Sequence, residues 1–328
     1  MTYSVTPCSF ESIRQTWKDL LPRAATNTIF LTPCWQNIWW KHFGDGREPL
    51  YLRVHCDDQV VGIAPLMLDG DTLALAGSTE VCDYLDFILE EEHCSSALPV
   101  LFDYIGQMSW STLVLHSIPG KSPTSAFLHD LAKRRDARYT VDFQQEDVSP
   151  GVELPGDWES YLGLLSKKDR HELRRKFRRL AGVGSVHYVA TTEDSDLEHD
   201  LDDFFRLHRD SREDKAAFMT PSKEAFFREI ARAFVAKDIG KLFRLEVDGI
   251  PAASVLCFDY NNERLLYNSG FDHSFSSLSV GLLLKAYTLR DAIETGMRRF
   301  DFLRGDEPYK YDLGGVDSPM YQCTIQRR

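Results

Sequence analysis

Near its C-terminal end the sequence places Asp301, Arg304, Asp306, Glu307, Tyr309 and Lys310 within ten residues, interrupted by Gly305 and Pro308. Carboxylates, a phenol and an ammonium in one short turn supply the groups that proton transfer and the holding of developing negative charge require. They follow a short apolar stretch, and functional groups concentrate on loops held by rigid elements. Asp301 alternates with Phe300 and Phe302, so it points away from their face, and partial burial there raises a carboxyl pKa. A second polar cluster, Asp83, Tyr84 and Asp86, has the donors and acceptors to hold an amine or sugar hydroxyls. His208, Arg209 and Arg212 lie together on a predicted helix and are candidates to contact an anionic substrate group. Trp35, Trp39 and Trp40 stand at helical spacing and read as core. No Ser-His-Asp set, phosphate-binding P-loop or dinucleotide fingerprint is present.

The elements that must position these groups are clearest in the second half. Ser185–Thr192 alternates as a strand, and Asp200–Phe218 and Ser222–Lys237 carry apolar residues at helical period. Lys241–Val247 and Ile250–Phe258 flank Asp248-Gly249, a hairpin turn pair. Arg264–Gly270 follows as a strand, a polar loop covers Phe271–Ser279, and a helix runs from Val280 to about Thr295, stopped by Gly296. Arg298–Arg304 and Met320–Gln326 are the last strands. The first half repeats this order more faintly. Tyr3–Thr6, Leu50–Cys56, Val60–Leu68, Thr72–Ala76, Thr112–Ser117 and Tyr139–Phe143 read as strands, with Asp83–Leu89 extended. Phe10–Leu21, Pro33–Phe43, Ser95–Gln107 and Ser122–Arg135 read as helices. The fold class is therefore α/β, with α+β mixed sheets in two copies of one unit. The first copy spans residues 1–150, a linker with a basic helix spans 151–184, and the second copy spans 185–328.

The basic helix sits in residues 166–180, SKKDRHELRRKFRRL, with eight basic and two acidic residues. Ser166 and Asp169 form a capping pattern, and Leu165, Leu173, Phe177 and Leu180 form a narrow apolar stripe. The whole chain has 328 residues and a formal charge of −12, which excludes general affinity for nucleic acid. Against that background the helix is a candidate anchor for a nucleotide, a diphosphate or RNA. Seven cysteines without metal-ligand spacing read as reduced and mostly buried, with no metal site. No signal-peptide core and no stretch long enough to span a bilayer is seen, so a cytoplasmic location is expected.

Three segments carry a family resemblance: Leu266-Tyr267-Asn268-Ser269-Gly270-Phe271-Asp272, then Leu278-Ser279-Val280-Gly281, then Phe300 through Lys310. With Trp35 and Trp39 before Gly44, the run Gly62–Leu66 and Asp83–Asp86, the chain resembles the GNAT acyltransferase superfamily. More narrowly it resembles the bacterial double-GNAT, Fem-like branch that includes the CelD type of cellulose-biosynthesis acetyltransferase. The resemblance implies two tandem GNAT-like domains, the N-terminal one degenerate and on the acceptor side. It implies N-acyl transfer, acetyl by preference, from acyl-CoA to an amine on an amino sugar or an envelope or polysaccharide precursor, without metal. The donor would lie where Arg264–Gly270 and Arg298–Arg304 splay apart, with the pyrophosphate at the helix beginning near Val280. Tyr267, Asn268, Ser277, Ser279, Val280 and Gly281 would bind it. Asp301 or Glu307 would be the base, Tyr309 would protonate the leaving thiolate, and Lys310 would hold a phosphate or the oxyanion. Asp83, Tyr84, Asp86, His208, Arg209, Arg212 and Arg304 would contact the acceptor or the donor phosphate. The phosphate loop is poorer in glycine than the family's usual one. Aminoacyl transfer from charged tRNA, held by the Lys167–Arg179 helix, is accordingly the rival reading. A non-catalytic GNAT-shaped binding protein in polysaccharide assembly is a third. In the first copy Glu90-Glu91-Glu92 would repel a pyrophosphate, so one donor site is expected.

Overall fold

The computed structural model describes residues 1–134, 138–191 and 194–328, with side chains for all of these except 194–196. Residues 135 and 192, where a predicted helix and a predicted strand end, lie outside the described residues. The chain divides into two units, Met1–Val148 with Ser318–Arg328, and Ser149–Asp317.

The first unit holds β1 (Tyr3–Cys8), α1 (Phe10–Leu20), α2 (Pro33–Phe43), β2 (Glu48–Cys56), β3 (Gln59–Asp69), β4 (Thr72–Leu75), β5 (Ile88–Leu89), α3 (Cys94–Gln107), β6 (Thr112–Pro119), α4 (Pro123–Lys133) and most of β7 (Tyr139–Glu153). Its strands run in the order β1-β2-β3-β4-β6, with β5 on β3. The pairs are antiparallel except β4 with β6, which lie parallel over Thr72–Ala74 and Thr112–Val114. Trp35 and Trp39 are fully buried, as their spacing predicts, while Trp40 is half-buried against the core. Trp17 is also fully buried, and its Nε1 donates to Leu31 O at 2.8 Å.

The second unit holds α5 (Trp158–Leu164), α6 (Lys167–Ala181), β8 (Val186–Thr191), α7 (Asp194–Ser211), α8 (Glu213–Phe218), α9 (Pro221–Val235), β9 (Gly240–Val247), β10 (Ile250–Tyr260), β11 (Glu263–Phe271), α10 (Val280–Glu294), β12 (Arg299–Asp301) and α11 (Pro308–Asp312). Here the end of β7 pairs with β12, and the order continues β11-β10-β9-β8. β11 and β12 lie parallel over Glu263–Leu265 and Arg299–Asp301, three residues each. The same short parallel step joined through a helix thus recurs in both units. This is the physical content of the faint sequence repeat, because a parallel pair needs such a crossover.

α10 is apolar on nearly every side, and Val280, Leu283, Leu284, Ala286 and Leu289 have no exposed surface. Each such aliphatic side chain contributes about 1.5–3 kcal/mol of burial, so this helix is the fixed post of the unit. The hairpin turn at Asp248-Gly249 falls where its two-residue signal puts it, with φ of 53° and 77°; the next hairpin turns through Asn261 and Asn262, with φ of 52° and 60°.

Four boundaries differ from the sequence expectation. The last segment, Ser318–Arg328, belongs to the first unit, through antiparallel pairing of β13 (Val316–Arg327) with β6. Residues 151–153, read as the start of the linker, are the end of β7, and the basic helix is part of the second unit. The helix expected over Asp200–Phe218 breaks at Arg212, whose backbone is extended at φ −166°. β12 stops at Asp301 rather than Arg304, because Leu303 and Gly305 take positive φ (58° and 108°) and turn the chain out of the sheet. Among the described residues no helix is long and apolar enough to cross a membrane.

Candidate active site

In the second unit the two parallel strands meet over three residues and then part. β11 carries a bulge: Leu256 opposes Asn268, but the next residue, Cys257, opposes Leu266, so Tyr267 is the extra residue. A bulge bends and twists its strand. β12 meanwhile ends at once. Beyond Leu265 the edge of β11 that faced β12 therefore opens, and α10 starts close by.

Asp301 makes that parting. Its Oδ1 accepts the Leu303 N–H at 2.8 Å and the Ser149 hydroxyl at 3.1 Å, and the residue is only 3% exposed. It caps the left-handed turn at Leu303. Lys310 fixes the same turn from the other side. Its buried ammonium donates to Leu303 O at 2.8 Å, Arg304 O at 2.7 Å and Gly305 O at 3.0 Å, and pairs with Glu307 at 2.9 Å. Three carbonyls and a carboxylate exhaust an ammonium's three donors, so Lys310 shapes the loop and has no donor left over for a phosphate. Gly305 suits the position beside it, since its φ of 108° lies in the left-handed region that side-chain-bearing residues rarely adopt.

Glu307 thus stands at the mouth of the turn, with its side chain 44% exposed. Burial acts to raise its carboxyl, but Lys310 first and Lys215 further off outweigh that and hold it below the usual carboxylate value. Tyr309 is the reverse: burial, with the Glu307 charge adding to it, pushes its phenol up, so it keeps its proton. Among the described residues its hydroxyl has no hydrogen-bond partner, and its ring packs edge-on to Phe302 at 6.3 Å.

Two residues that the sequence reading passed over complete the cluster. Lys285, on the inward face of α10 and 7% exposed, places its Nζ 4.6 Å from the Tyr309 ring centre. Burial, and then the neighbouring Lys215, bring its pKa down to about 7. Lys215, on α8, reaches across to donate to Ser269 O on the open edge of β11 at 2.5 Å. Burial, followed by Arg212, brings it down to about 8. A lone lysine in an otherwise apolar helical run, Leu282-Leu283-Leu284-Lys285-Ala286-Tyr287, is the signal that would have found it, because an unpaired ammonium is rarely buried without a task.

The remaining expected residues distribute as follows. His208 and Asn268 meet: His208 Nε2 donates to Asn268 Oδ1 at 2.8 Å. Burial, then Lys215, lowers the His208 pKa to about 4, so the imidazole is neutral. Gly270 lets α7 lie on β11 there, since a Cβ would stand 2.3 Å from His208 N. Tyr267 stacks on Phe227 of α9 at 5.2 Å. Arg209 is taken by Glu224 and Arg212 by Asp214. Arg304 lies half-buried in the turn.

At the start of α10, Ser279 has a left-handed backbone, φ 59°, and its hydroxyl accepts from Lys176 Nζ at 3.1 Å and Arg179 Nη2 at 3.2 Å. The first intrahelical bond is Leu283 N–H to Ser279 O, which leaves the amides of residues 280–282 at the open end. Ser277 is exposed in the preceding 3-10 turn, Val280 is buried, and Gly281 packs under Phe271, 3.1 Å from where its Cβ would be. The basic helix α6 is thus set against the positive end of α10. Its other charges are partly engaged, with Arg174 on Glu159 and Arg175 on Glu172. A groove of about 640 Å³ lies along α5, α6 and α10, with Arg174, Arg178, Phe177 and Tyr287 in its walls.

In the first-unit cluster Asp86 and Tyr84 lie in the interior. Asp86 is fully buried and satisfied: its Oδ2 accepts from Thr26 and Ser122, each at 2.5 Å, and its Oδ1 from the Phe87 amide at 2.7 Å. Burial raises its carboxyl against those bonds. Tyr84 is buried edge-on to Phe30, and Asp83 is half-buried. Glu90, Glu91 and Glu92 stand before the N-terminus of α3, where α10 in the other unit has serines and basic partners. Glu90, Glu92 and His93 bring three ligand-type atoms together, but Arg23 already pairs with Glu90 at 2.7 Å.

Residues 167–311 match the family described as an acetyltransferase (GNAT) domain. No protein with a curated description matches the chain. Among solved structures, the chain is similar to FemX, with a TM-score of 0.66 and 11% identity over 98% of this chain and 96% of that one. It is similar to L-PGS from Bacillus licheniformis, with a TM-score of 0.53 and 10% identity over 88% and 90%. It is also similar to a tandem GNAT protein from the clavulanic acid biosynthesis pathway, with a TM-score of 0.50 and 15% identity over 98% of both chains. Residues 167–311 in the second unit thus match a GNAT domain, and the whole chain has the fold seen in FemX and in the tandem GNAT protein.

Proposed function

We propose that the protein is an N-acyltransferase that takes an acyl group from acyl-CoA and passes it to an amine in the second unit. The observation that carries this reading is the parting of β11 from β12 beside the open end of α10. There an exposed strand edge, three free helix amides and the Lys176–Ser279–Arg179 contacts converge. A helix N-terminus with basic side chains suits a pyrophosphate, and an open strand edge suits the amide groups of an extended pantetheine arm.

In the proposed reaction the acceptor nitrogen attacks the thioester carbonyl carbon. A C–N bond forms, the C–S bond breaks, and the nitrogen's proton passes to a base. Glu307 is the assigned base, because it is ionised and partly open, whereas both hydrogen bonds at Asp301 Oδ1 are spent on the turn. Tyr309, which keeps its proton, is the assigned donor to the leaving thiolate. The acceptor's wider structure, an amino sugar or an envelope precursor, rests on the family resemblance.

Aminoacyl transfer from charged tRNA is the second reading, and the basic, aromatic groove along α6 favours it. Calorimetric titration with acetyl-CoA and with charged and uncharged tRNA separates the two. Saturable acetyl-CoA binding that the double substitution Lys176→Glu, Arg179→Glu weakens by about tenfold or more, 1.4 kcal/mol, supports acyl-CoA. Binding of tRNA alone overturns it.

A further inference from the structure

In the second unit two lysines, Lys285 buried and Lys215 half-buried, lie close to Glu307. Of the four cations around Glu307, Arg212 is spent on Asp214 and Lys310 on Glu307 and three carbonyls. Among the described residues, neither Lys215 nor Lys285 has a carboxylate within ion-pair distance. Each ammonium has three donors. Lys215 spends one on Ser269 O at 2.5 Å, and Lys285 makes a single long bond to Gly281 O at 3.3 Å. An ammonium taken from water without an anion costs several kcal/mol, and here Lys215 lies close enough to Lys285 to lower it further. Lys285 faces Lys215, Glu307, Lys310 and the Cys257 thiol; Lys215 faces Arg212, Asp214 and Glu307. Glu307 is the carboxylate that both lysines face, and its side chain is 44% exposed.

The arrangement is a pair of positive points beside one negative point, with the open edge of β11 next to it. A molecule with a carboxylate and an ammonium a few bonds apart complements both. We propose that the acyl acceptor is an α-amino acid, or the free α-amino-acid end of a larger molecule. Its carboxylate is held by Lys215 and Lys285 and its ammonium is delivered to Glu307. This rests on the acyl-transfer reading above and narrows its acceptor. The Ser269–Lys215 bond aims one ammonium along the strand edge, and the Tyr309 ring fixes the other. Amines that lack a carboxylate leave both lysines uncompensated and are selected against.

The test is calorimetric titration of the full chain with the standard L-amino acids, each paired with the amine left on removing its carboxylate, with and without acetyl-CoA. At least one amino acid binds saturably, and its decarboxylated partner binds at least tenfold more weakly. Lys215→Met and Lys285→Met each lose about tenfold in affinity for the amino acid, and little for the amine. Binding near pH 8 takes up protons, seen as heats that vary with buffer ionisation. Equal binding of amino acid and amine, or failure of every amino acid to bind, overturns the proposal on the wild-type protein alone. Acetyl-CoA binding with no amino-acid binding overturns this inference and leaves the acyl-CoA reading standing. Amino-acid binding with no acetyl-CoA binding does the reverse.

Discussion

Replacing Lys285 by methionine should make the protein more stable at neutral pH, and the size of the effect follows from the site. An unfolded lysine titrates near 10.4, whereas burial and Lys215 bring the folded group down to about 7. Each unit of difference corresponds to about 1.4 kcal/mol, so the charged side chain costs at most about 5 kcal/mol below pH 7. Relaxation of the neighbouring lysines and entry of water reduce this, and a net gain of roughly 1–3 kcal/mol is expected. Methionine keeps the length and apolar packing of the stem. The sign with pH is fixed by proton binding. Between about pH 7 and 10 the unfolded lysine holds more protons than the folded one, so wild-type stability rises with pH across that window. The variant lacks this slope, and its advantage shrinks toward pH 10. Urea denaturation of both proteins at pH 6.5, 8 and 9.5, reading the midpoint and slope, measures this. A variant less stable than wild type at pH 6.5, or an advantage that does not change with pH, refutes the account of Lys285 as an uncompensated buried cation.

Three further outcomes are expected. Asp301→Asn, which keeps an acceptor for the Leu303 amide and Ser149 hydroxyl, should retain most turnover, while Asp301→Ala strands two buried donors and should lose about 2 kcal/mol of stability in urea. Glu307→Gln should lower kcat by about 10²–10⁴-fold with acetyl-CoA affinity unchanged, measured by steady-state rates and calorimetry; an unchanged kcat removes Glu307 as the base. Gly270→Ala forces a Cβ to within 2.3 Å of the α7 backbone and should destabilise the unit by roughly 1–3 kcal/mol, seen as an earlier urea transition.

Much of this was legible because local chemistry and fold agree. The pairs Asp57-Asp58 and Asp248-Gly249 mark hairpins by themselves, and Pro33 and Gly44 bracket α2 where the helix begins and ends. The polar run from Asp301 to Lys310 marks the turn that ends β12. The misreadings have particular causes. Pro150 and Gly151 imitate a linker, yet Gly151 lies in β7 because its missing Cβ leaves room for the Arg299 guanidinium, 2.1 Å from where that Cβ would be. α11 begins at Pro308 and lasts five residues, too short for its period to register. Asp301 and Lys310 were read as chemical groups on type alone. Only the three-dimensional bonds show that one caps Leu303 and the other gathers the carbonyls of residues 303–305. Lys215 sits forty-odd residues from β11 in sequence and far from the C-terminal turn, so no local pattern could join it to Glu307.

The two units make the same argument from opposite directions. Each contains a three-residue parallel step followed by a left-handed residue, Ser117 at a bulge inside β6 in one and Leu303 in the turn after β12 in the other. In each, a carboxylate holds that residue: Glu146 accepts the Ser117 amide at 2.8 Å, and Asp301 accepts that of Leu303. This backbone device is therefore common to both and carries no chemistry of its own. What differs is the surrounding charge. The helix crossing the first unit's step begins behind Glu91, Glu92 and His93, and its buried carboxyl, Asp86, is fully bonded. The helix crossing the second begins behind Ser279 with Lys176 and Arg179 on it, and its interior holds Lys285 without a counter-ion. Uncompensated charge is costly to fold around, and a protein retains it where a ligand completes it. The second unit is where that cost is borne, which agrees with the proposal, made from the parting of β11 and β12, that acyl transfer takes place there.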